Sequence, residues 1–532
     1  MANVPHRTLN HAFPWNWAEA KANATLFSDF DPTGDGVTDD TTPFTNAVTA
    51  ALSDIKFNGY HLLYIDNPGR FGLDNPVFDD VSDLIIFGDG DRSTFVELNA
   101  AWFTFNGYSN VGVLNLGFDA YGFGSFGGTR FVGGIGLWFC YNHMYNSISP
   151  GIQNPGALDL YAIVTTGGPE EASTNRNNII EWNHFESLQP SFGCMKGFRF
   201  NHNRIARGGF ATAGVGFWGN NNDWMIEDGD ISYNKFIDCG RPALMIGKDT
   251  ASALRNSFQR LAISYNEFDF YSIAQMGLQY GSAEDTFQQE TDTFKDWWII
   301  GNKFRWADSC PTGNNAVAMK AIVPADSFVF DHFTVQGNES RGRLAQGAML
   351  LYAMKNSFVE SNDLPGATLV VDGVPTIPAN NVIRDNVANY YYLRYAHGNT
   401  TFTGNREYGR TAVAWTQTDV DGTGNDIDDP TLITVPSGFR LSHNFSVGNA
   451  EGWNPASLDD GQSASQIFAF GGITNATFRV IFVQFSGIAT NVNWTTEAVV
   501  SADDEVTVKI TNHTGGTVNL DEGDTLIILE KL

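Results

Sequence analysis

The chain has 532 residues, a net charge of -28 and only 17% charged side chains, with 55 glycines and 13% aromatics. That length exceeds one ordinary compact core, and the composition is that of a turn-rich β protein. The acidity excludes nucleic acid and an anionic membrane surface as partners, since both need clustered Lys and Arg.

The N-terminal "MANVPHRTLNHAFPWNW" has no apolar core of a signal peptide, and no apolar run approaches a membrane span, so export is expected by another route, such as assembly into a virus particle. Next, "DFDPTGDGVTDDTTPFTNAV" at 29–48 gathers aspartates before a helical pattern. Thr42 reads as the N-cap and Pro43 as the first turn, with Phe44, Ala47, Val48, Ala51, Leu52 and Ile55 on one face. Gly34 and Gly36 permit a tight turn, and Asp39 and Asp40 lie at the positive helix end. Asp29, Asp31 and Asp35 miss the spacing of a calcium loop and no glutamate closes it, so the cluster reads as scaffolding.

This motif resembles the one that opens the pectate-lyase-like superfamily, right-handed parallel β-helix proteins that include phage tailspike depolymerases; Pro43 departs from the small residue expected there. In that family the motif caps the solenoid and carries no catalysis. The resemblance implies an all-β fold: a right-handed parallel β-helix with a short capping helix and a C-terminal antiparallel β domain.

The repeats support this independently. The pattern apolar-x-x-Asn-x-apolar ("IIEWNHF", "FRFNHNRI", "ISYNKF", "ISYNEF", "WWIIGNKF" and others) places Asn183, Asn203, Asn234, Asn266, Asn302, Asn338, Asn362, Asn386 and Asn405 at equivalent points. Asparagine tolerates left-handed angles at a bend, and its amide both donates to and accepts from stacked copies of itself. The intervals are 20, 31, 32, 36, 36, 24, 24 and 19 residues. The long ones, between 203 and 338, are expected to carry loops, where binding and catalysis concentrate. The domains read as 1–58 (N-terminal segment and capping helix), 59–416 (β-helix), 417–430 (Asp-rich linker) and 431–532 (alternating strands of a β domain). "GTGNDID" in the linker resembles one calcium-binding nonapeptide; as a lone copy it reads as solvated linker, so no cofactor is expected, with calcium the one alternative. The last module looks like β domains that end phage tail spikes, which implies a homotrimer.

Cys140, Cys194, Cys239 and Cys310 form no C-x-x-C and read as buried thiols. The signatures of a serine elbow, a zincin and a P-loop are absent. Residues 1–193 hold 7 basic and 21 acidic side chains, 194–410 hold 20 and 22, and 411–532 hold 4 and 16, so a partly anionic sugar meets least repulsion in the middle. Three to six positions after successive asparagines stand Glu186, Arg207, Asp238, Asp269, Asp308 and Arg341. Strands one rung apart lie about 4.8 Å apart, so Asp238, Asp269 and Asp308 offer the carboxylate spacing of a retaining or an inverting glycosidase. Turn aspartates bonded to local amides are the plain alternative for each. Substrate-binding candidates are Arg207, Trp218, Arg241, Lys248, Tyr271, Gln275, Trp306 and Arg341, the aromatics to stack on sugar rings and the cations to grip carboxylates. Glu284 and Asp285 are the reserve catalytic carboxylates.

The expectation is an extracellular or virion-associated depolymerase that hydrolyses a surface or matrix polysaccharide with an Asp pair. The alternatives are a lyase acting on a uronate polymer, with Arg207, Arg241 or Lys248 neutralising the carboxylate and Tyr271 or a lysine taking the proton, and a carbohydrate-binding adhesin without catalysis.

Overall fold

The computed structural model describes residues 16–98, 102–120, 128–147, 161–166, 175–208, 213–218, 225–240, 242–248, 256–273, 275–282, 293–310, 316–322, 329–342, 347–372, 380–394, 401–403, 405–407, 416–420, 440–445, 457–469, 478–485, 494–502, 505–517 and 525–531. The chain divides into two units, 1–293 with 309–315, and 294–308 with 316–532.

In the first unit the helical spacing becomes the helix Thr41–Ser53, which buries Phe44, Ala47, Val48 and Ala51. The Phe44 ring stacks on Phe103 at 5.8 Å and meets Phe27, Phe78 and Phe95 edge-on, so the helix plugs the start of the apolar column. Its cap differs from the expectation: Asp40 is the N-cap and Thr42 lies inside the first turn. The buried Asp40 carboxylate accepts instead from the amides of Thr33 (2.7 Å) and Gly34 (3.2 Å), and Asp39 accepts from Thr41 N (2.9 Å). Asp35 accepts from the amides of Thr38 and Val37 and from the Thr38 hydroxyl, bonds that hold its carboxyl below the usual range. The aspartates are turn scaffolding. Ile55 lies past the helix end and is 94% exposed, against the expectation that it is buried.

From residue 61 short strands pair in parallel with strands one turn later, forming three sheets. The first runs from His61–Ile65 through Ser82–Glu97, Ser109–Asp119, Ile135–Cys140, Ile179–Glu181, Met195–Asn201 and Met225–Ser232 to Ser257–Ser264. The second continues the long strands into His143–Tyr145, His184–Glu186, Arg204–Ala206, Lys235–Ile237 and Glu267–Phe270. The third holds Val77–Asp79, Thr104–Asn106, Thr129–Val132, Tyr161–Thr166, Gln189–Gly193, Val215–Trp218, Leu244–Lys248 and Leu278–Ser282. This is a right-handed parallel β-helix. Its interior stacks like on like, as in Phe236 over Phe268 at 4.6 Å and Phe105 over Phe131 at 5.8 Å.

A buried amide ladder joins the first sheet to the second. Asn183 donates through its backbone N and Nδ2 to Asn203 Oδ1, both at 3.0 Å; Asn203 does the same to Asn234 (2.9 and 3.1 Å), and Asn234 to Asn266 (2.9 and 3.0 Å). The second Nδ2 hydrogen goes to Phe139 O, Ile180 O and Phe200 O respectively. Both donors and both acceptor sites of the Asn203 and Asn234 amides are therefore used, which a buried polar group requires. Asn142, in "FCYNHM", also belongs to the ladder and donates to Asn183 Oδ1 at 3.0 Å. The left-handed residue is not the asparagine, as expected, but the one before it: Tyr141, Trp182, His202, Tyr233 and Tyr265 have φ of 57 to 61°.

The second unit repeats the arrangement. Thr293–Ile300 pairs with Phe330–Gln336, then Phe358–Glu360, Val382–Arg384 and Thr401–Thr403. Its ladder runs Asn302, Asn338, Asn362, Asn386, Asn405, each step made by the same pair of bonds at 2.8–3.0 Å. Its C-terminal part contains two sheets. One orders Thr416–Val420, Arg440–Phe445, Thr525–Lys531 and Phe478–Phe485, antiparallel after a parallel first pair; the other sets Glu505–Asn512 between Ser463–Ala469 and Trp494–Ala502, all antiparallel. Residues 417–420, expected in the linker, thus belong to a strand, and 421–430 lie outside the described residues.

Two outcomes test the fold. Asn234→Leu strips the Asn203 backbone N and Nδ2 of their shared acceptor and takes the Nδ2 donor from Phe200 O and from Asn266 Oδ1, which keeps only the backbone N–H of residue 234; at about 1–3 kcal/mol per stranded group, the thermal midpoint falls sharply. Glu97, at 3% exposure, has its pKa pushed from the ordinary 4.5 to about 7 by burial, against the amide of Gly128 and the charge of Arg130. The fold therefore holds a proton that the unfolded chain releases, and Glu97 weakens the fold progressively as pH rises from 4.5 through 7. Glu97→Gln is expected to raise the denaturation midpoint at pH 8, by up to about 3 kcal/mol, and to leave it unchanged near pH 4.

Candidate functional site

The strands of the second sheet are three or four residues long in the stretch from His143 to Phe270, and each sends two side chains outward. Register stacks these into two columns. Gly117, His143, His184, Arg204, Lys235 and Glu267 form one; Asp119, Tyr145, Glu186, Ala206, Ile237 and Asp269 form the other. From His143 on, the first follows each ladder asparagine by one residue and carries two imidazoles, a guanidinium and an ammonium group before Glu267. The second is acidic where it is charged.

His143 Nδ1 lies 2.9 Å from Asp91 Oδ2, and its ring stacks on His184 with centroids 4.7 Å apart and planes within 6°. His184 Nε2 also meets the Arg204 guanidinium, and lies 3.4 Å from Glu186. Burial, then the neighbouring His143 and Arg204, push the His184 pKa down to about 4, so this imidazole is neutral at working pH. Glu186 is ion-paired with Arg207 and lies 3.7 Å from Arg204. Tyr145 packs on His143 at 5.0 Å, and burial, then Asp119, raise its phenol. Arg70 pairs with the buried Asp119. Further along, Lys235 reaches Glu267 (3.5 Å) and Asp269 (3.3 Å).

The column expected from the sequence combines two positions. Glu186 and Asp269, three residues after their asparagines, share the outward column, whereas Arg207 and Asp238, four after theirs, sit at left-handed corners with φ of 54 and 46°. Asp238 accepts from Tyr271 N (2.7 Å), Ser272 N (3.0 Å) and Ser272 Oγ (3.0 Å), which fixes the next corner and presents Tyr271 half-exposed. Asp269 is 4% exposed. Gln275 is half-buried near that corner.

Trp218 is 8% exposed; its ring lies over Gly216, where a Cβ would stand 2.1 Å away, and packs with Met245 and Ala213. It is packing here, not the exposed sugar platform expected of it. In the second unit Trp306 is likewise buried at 4% exposure, Asp308 stands exposed in a turn, and Arg341 pairs with Asp363 (2.6 Å) and Glu339 (3.1 Å). Arg241, Glu284, Asp285 and the Lys248 side chain lie outside the described residues. Sequence reasoning did not single out Asp91, His143, Tyr145, His184, Arg204 or Lys235, although "YNH", "WNH", "HNR" and "YNK" mark the basic column one residue after each asparagine.

All four cysteines are free and buried. Among the described residues no His, Cys, Asp or Glu cluster is placed to hold a metal ion, and no helix is long and apolar enough to cross a membrane.

Comparison with family models and with curated protein sequences returned no match. Among solved structures the chain is similar to the tailspike protein of E. coli bacteriophage HK620 in complex with pentasaccharide (9% identity, TM-score 0.44, covering 99% of this chain and 96% of that one). It is also similar to the Dettilon tailspike protein (13%, 0.40, 96% and 94%) and to the Azotobacter vinelandii mannuronan C-5 epimerase AlgE4 A-module (13%, 0.40, 72% and 95%). At such scores the fold assignment rests on this chain's own strand register.

The Asp238 clamp makes a distinction measurable. Asp238→Asn keeps an oxygen to accept from the Tyr271 and Ser272 amides, whereas Asp238→Ala leaves both without that acceptor. Hydrogen exchange at Tyr271 and Ser272 is expected to rise in the alanine variant and stay near wild type in the asparagine variant.

Proposed function

We propose that the protein cleaves glycosidic bonds of a surface or matrix polysaccharide laid along the outer face of the second sheet, as a virion-associated homotrimer of the tailspike kind. The observation that supports this most is the pairing of Asp238 with Asp269: the Asp238 amide donates to the Asp269 carbonyl at 2.9 Å, which sets the two on successive rungs beside exposed Arg207, Lys235 and Tyr271. Backbones one rung apart lie about 4.8 Å from each other, so a corner carboxylate and a strand carboxylate on neighbouring rungs are close enough to act as the acid and the nucleophile of a retaining hydrolysis. Arg207, Tyr271 and Gln275 flank the pair and would hold the sugar. Arg241 and Lys248 remain substrate-binding candidates from the sequence; in the second unit Asp308 and Arg341 stay separate candidates, and the buried Trp218 and Trp306 drop out as sugar platforms.

A second reading has its own support. His184, neutral above about pH 4, shares a face with Tyr145, Arg204 and Arg207. A neutral base, a phenol and guanidinium groups are the parts needed to abstract the proton beside a uronate carboxylate and eliminate across the adjacent bond.

The products separate these readings. Hydrolysis yields new reducing ends alone; elimination adds an unsaturated uronate that absorbs in the ultraviolet. On a panel of capsular, O-antigen and algal polysaccharides, reducing ends without absorbance are expected, with Asp238→Asn and Asp269→Asn each losing about 10²–10⁴ in rate while still folding. Absorbance lost in His184→Gln and kept in the aspartate variants would transfer the chemistry to the histidine cluster. Binding without either product would leave an adhesin.

A further inference from the structure

Five successive left-handed positions of the first unit carry aromatic rings: Tyr141, Trp182, His202, Tyr233 and Tyr265. Bulky side chains are disfavoured at positive φ, where glycine fits freely. The second unit makes the same bend with Gly301, Gly337, Ser361 and Asp385, so the corner itself does not demand rings. Nor does burial explain them, since Tyr141, Trp182, Tyr233 and Tyr265 are 50–53% exposed.

The rings form one near-parallel stack. Centroids are 6.4, 4.1, 5.0 and 5.3 Å apart from Tyr141 to Tyr265, with planes within 14°. Stacking turns the electron-rich faces toward one another and leaves the ring edges, which carry the positive end of the quadrupole, to solvent. Alongside, two residues further in each repeat, runs the column His143, His184, Arg204, Lys235. The ring stack is confined to the first unit, and the second unit's column is mixed in charge, with Lys303, Glu339, Asp363, Val387 and Arg406. The carboxylates facing the basic column are Asp91, Glu186, Glu267 and Asp269. Arg204 and Lys235 remain 47% and 45% exposed in pairs of 3.3–3.7 Å, weak enough for an incoming anion to exchange.

We propose that the ring-edge track and the basic column together bind a linear anionic glycan, its charge carried by carboxylate or sulfate, along the rungs from Asn142 to Asn266. This rests on the polysaccharide reading above and narrows it to an acidic polymer. A repeating ligand matches a surface that repeats every rung, and the local positive edge offsets the -28 charge of the whole chain.

The test is affinity electrophoresis of the full chain through gels holding dextran, carboxymethyl-dextran or dextran sulfate, which share one backbone. Retardation by the charged forms and not by dextran is expected, and retention by only one of them tells carboxylate from sulfate. Lys235→Gln and Tyr233→Gly are each expected to weaken retention about fivefold or more with the thermal midpoint kept, glycine being at ease at that φ. Equal retardation in all three gels, none in any, or full retention by both folded variants overturns the proposal. Cleavage of a polysaccharide without charge-selective retention would remove the anionic track and leave the catalytic reading standing; selective retention without cleavage would do the reverse.

Discussion

The solenoid depends on one repeated constraint: a buried amide that must find two donors and two acceptors within reach of one rung. Asparagine meets it because its Oδ1 takes both the backbone and side-chain N–H of the preceding copy while its Nδ2 serves the next copy and a strand carbonyl. Aspartate would bring no donor and a charge, and glutamine a longer arm. A missing copy strands groups on both neighbours, so each ladder is held as a unit. At another bend of the second unit, outside that ladder, Ser357 supplies the same pair of roles, accepting from Phe333 N and donating to Lys355 O, while its amide donates to Asn381 Oδ1.

The ladder also explains why the outer face of the second sheet is so regular. With asparagine at one end of each short strand and a left-handed corner at the other, only two outward positions remain per rung. Each outward side chain then has its nearest neighbours directly above and below, about 4.8 Å away. Like charges in such a column repel, and the observed pairs join one rung to the next: Glu186 with Arg204 and Arg207, Lys235 with Glu267 in its own column and with Asp269 in the other. Exposed pairs are worth about 0–1 kcal/mol, so the exposed members of this surface contribute little to stability.

Much of this was legible in the sequence because a ladder is a periodic signal. Nine asparagines could be read from spacing alone, and the capping helix from its apolar face. Asn142 was missed in a rung whose neighbours are irregular, and the left-handed angle was assigned to the asparagine when the residue before it carries it. That single offset matters for the site. Counting three or four residues from an asparagine decides whether a side chain ends a strand, as Glu186 and Asp269 do, or turns a corner, as Arg207 and Asp238 do. Side-chain engagement was not legible at all: nothing in the spacing shows that Asp238 grips the next corner, or that Trp218 lies flat over a glycine.

The Asp238 clamp bears on how a site can arise on such a scaffold. A corner aspartate that holds the following loop already has its oxygens oriented, at no further entropic cost to any chemistry that uses them. Asp269, one rung on, is held by burial and by Lys235. A solenoid places such groups at fixed intervals and cannot move one without shifting its rung. Two acids come close either along one strand, as Glu267 and Asp269 do around Lys235, or on successive rungs, and a ligand that spans several rungs must be extended along them. A surface that repeats rung by rung therefore suits an extended, repeating ligand better than a compact one.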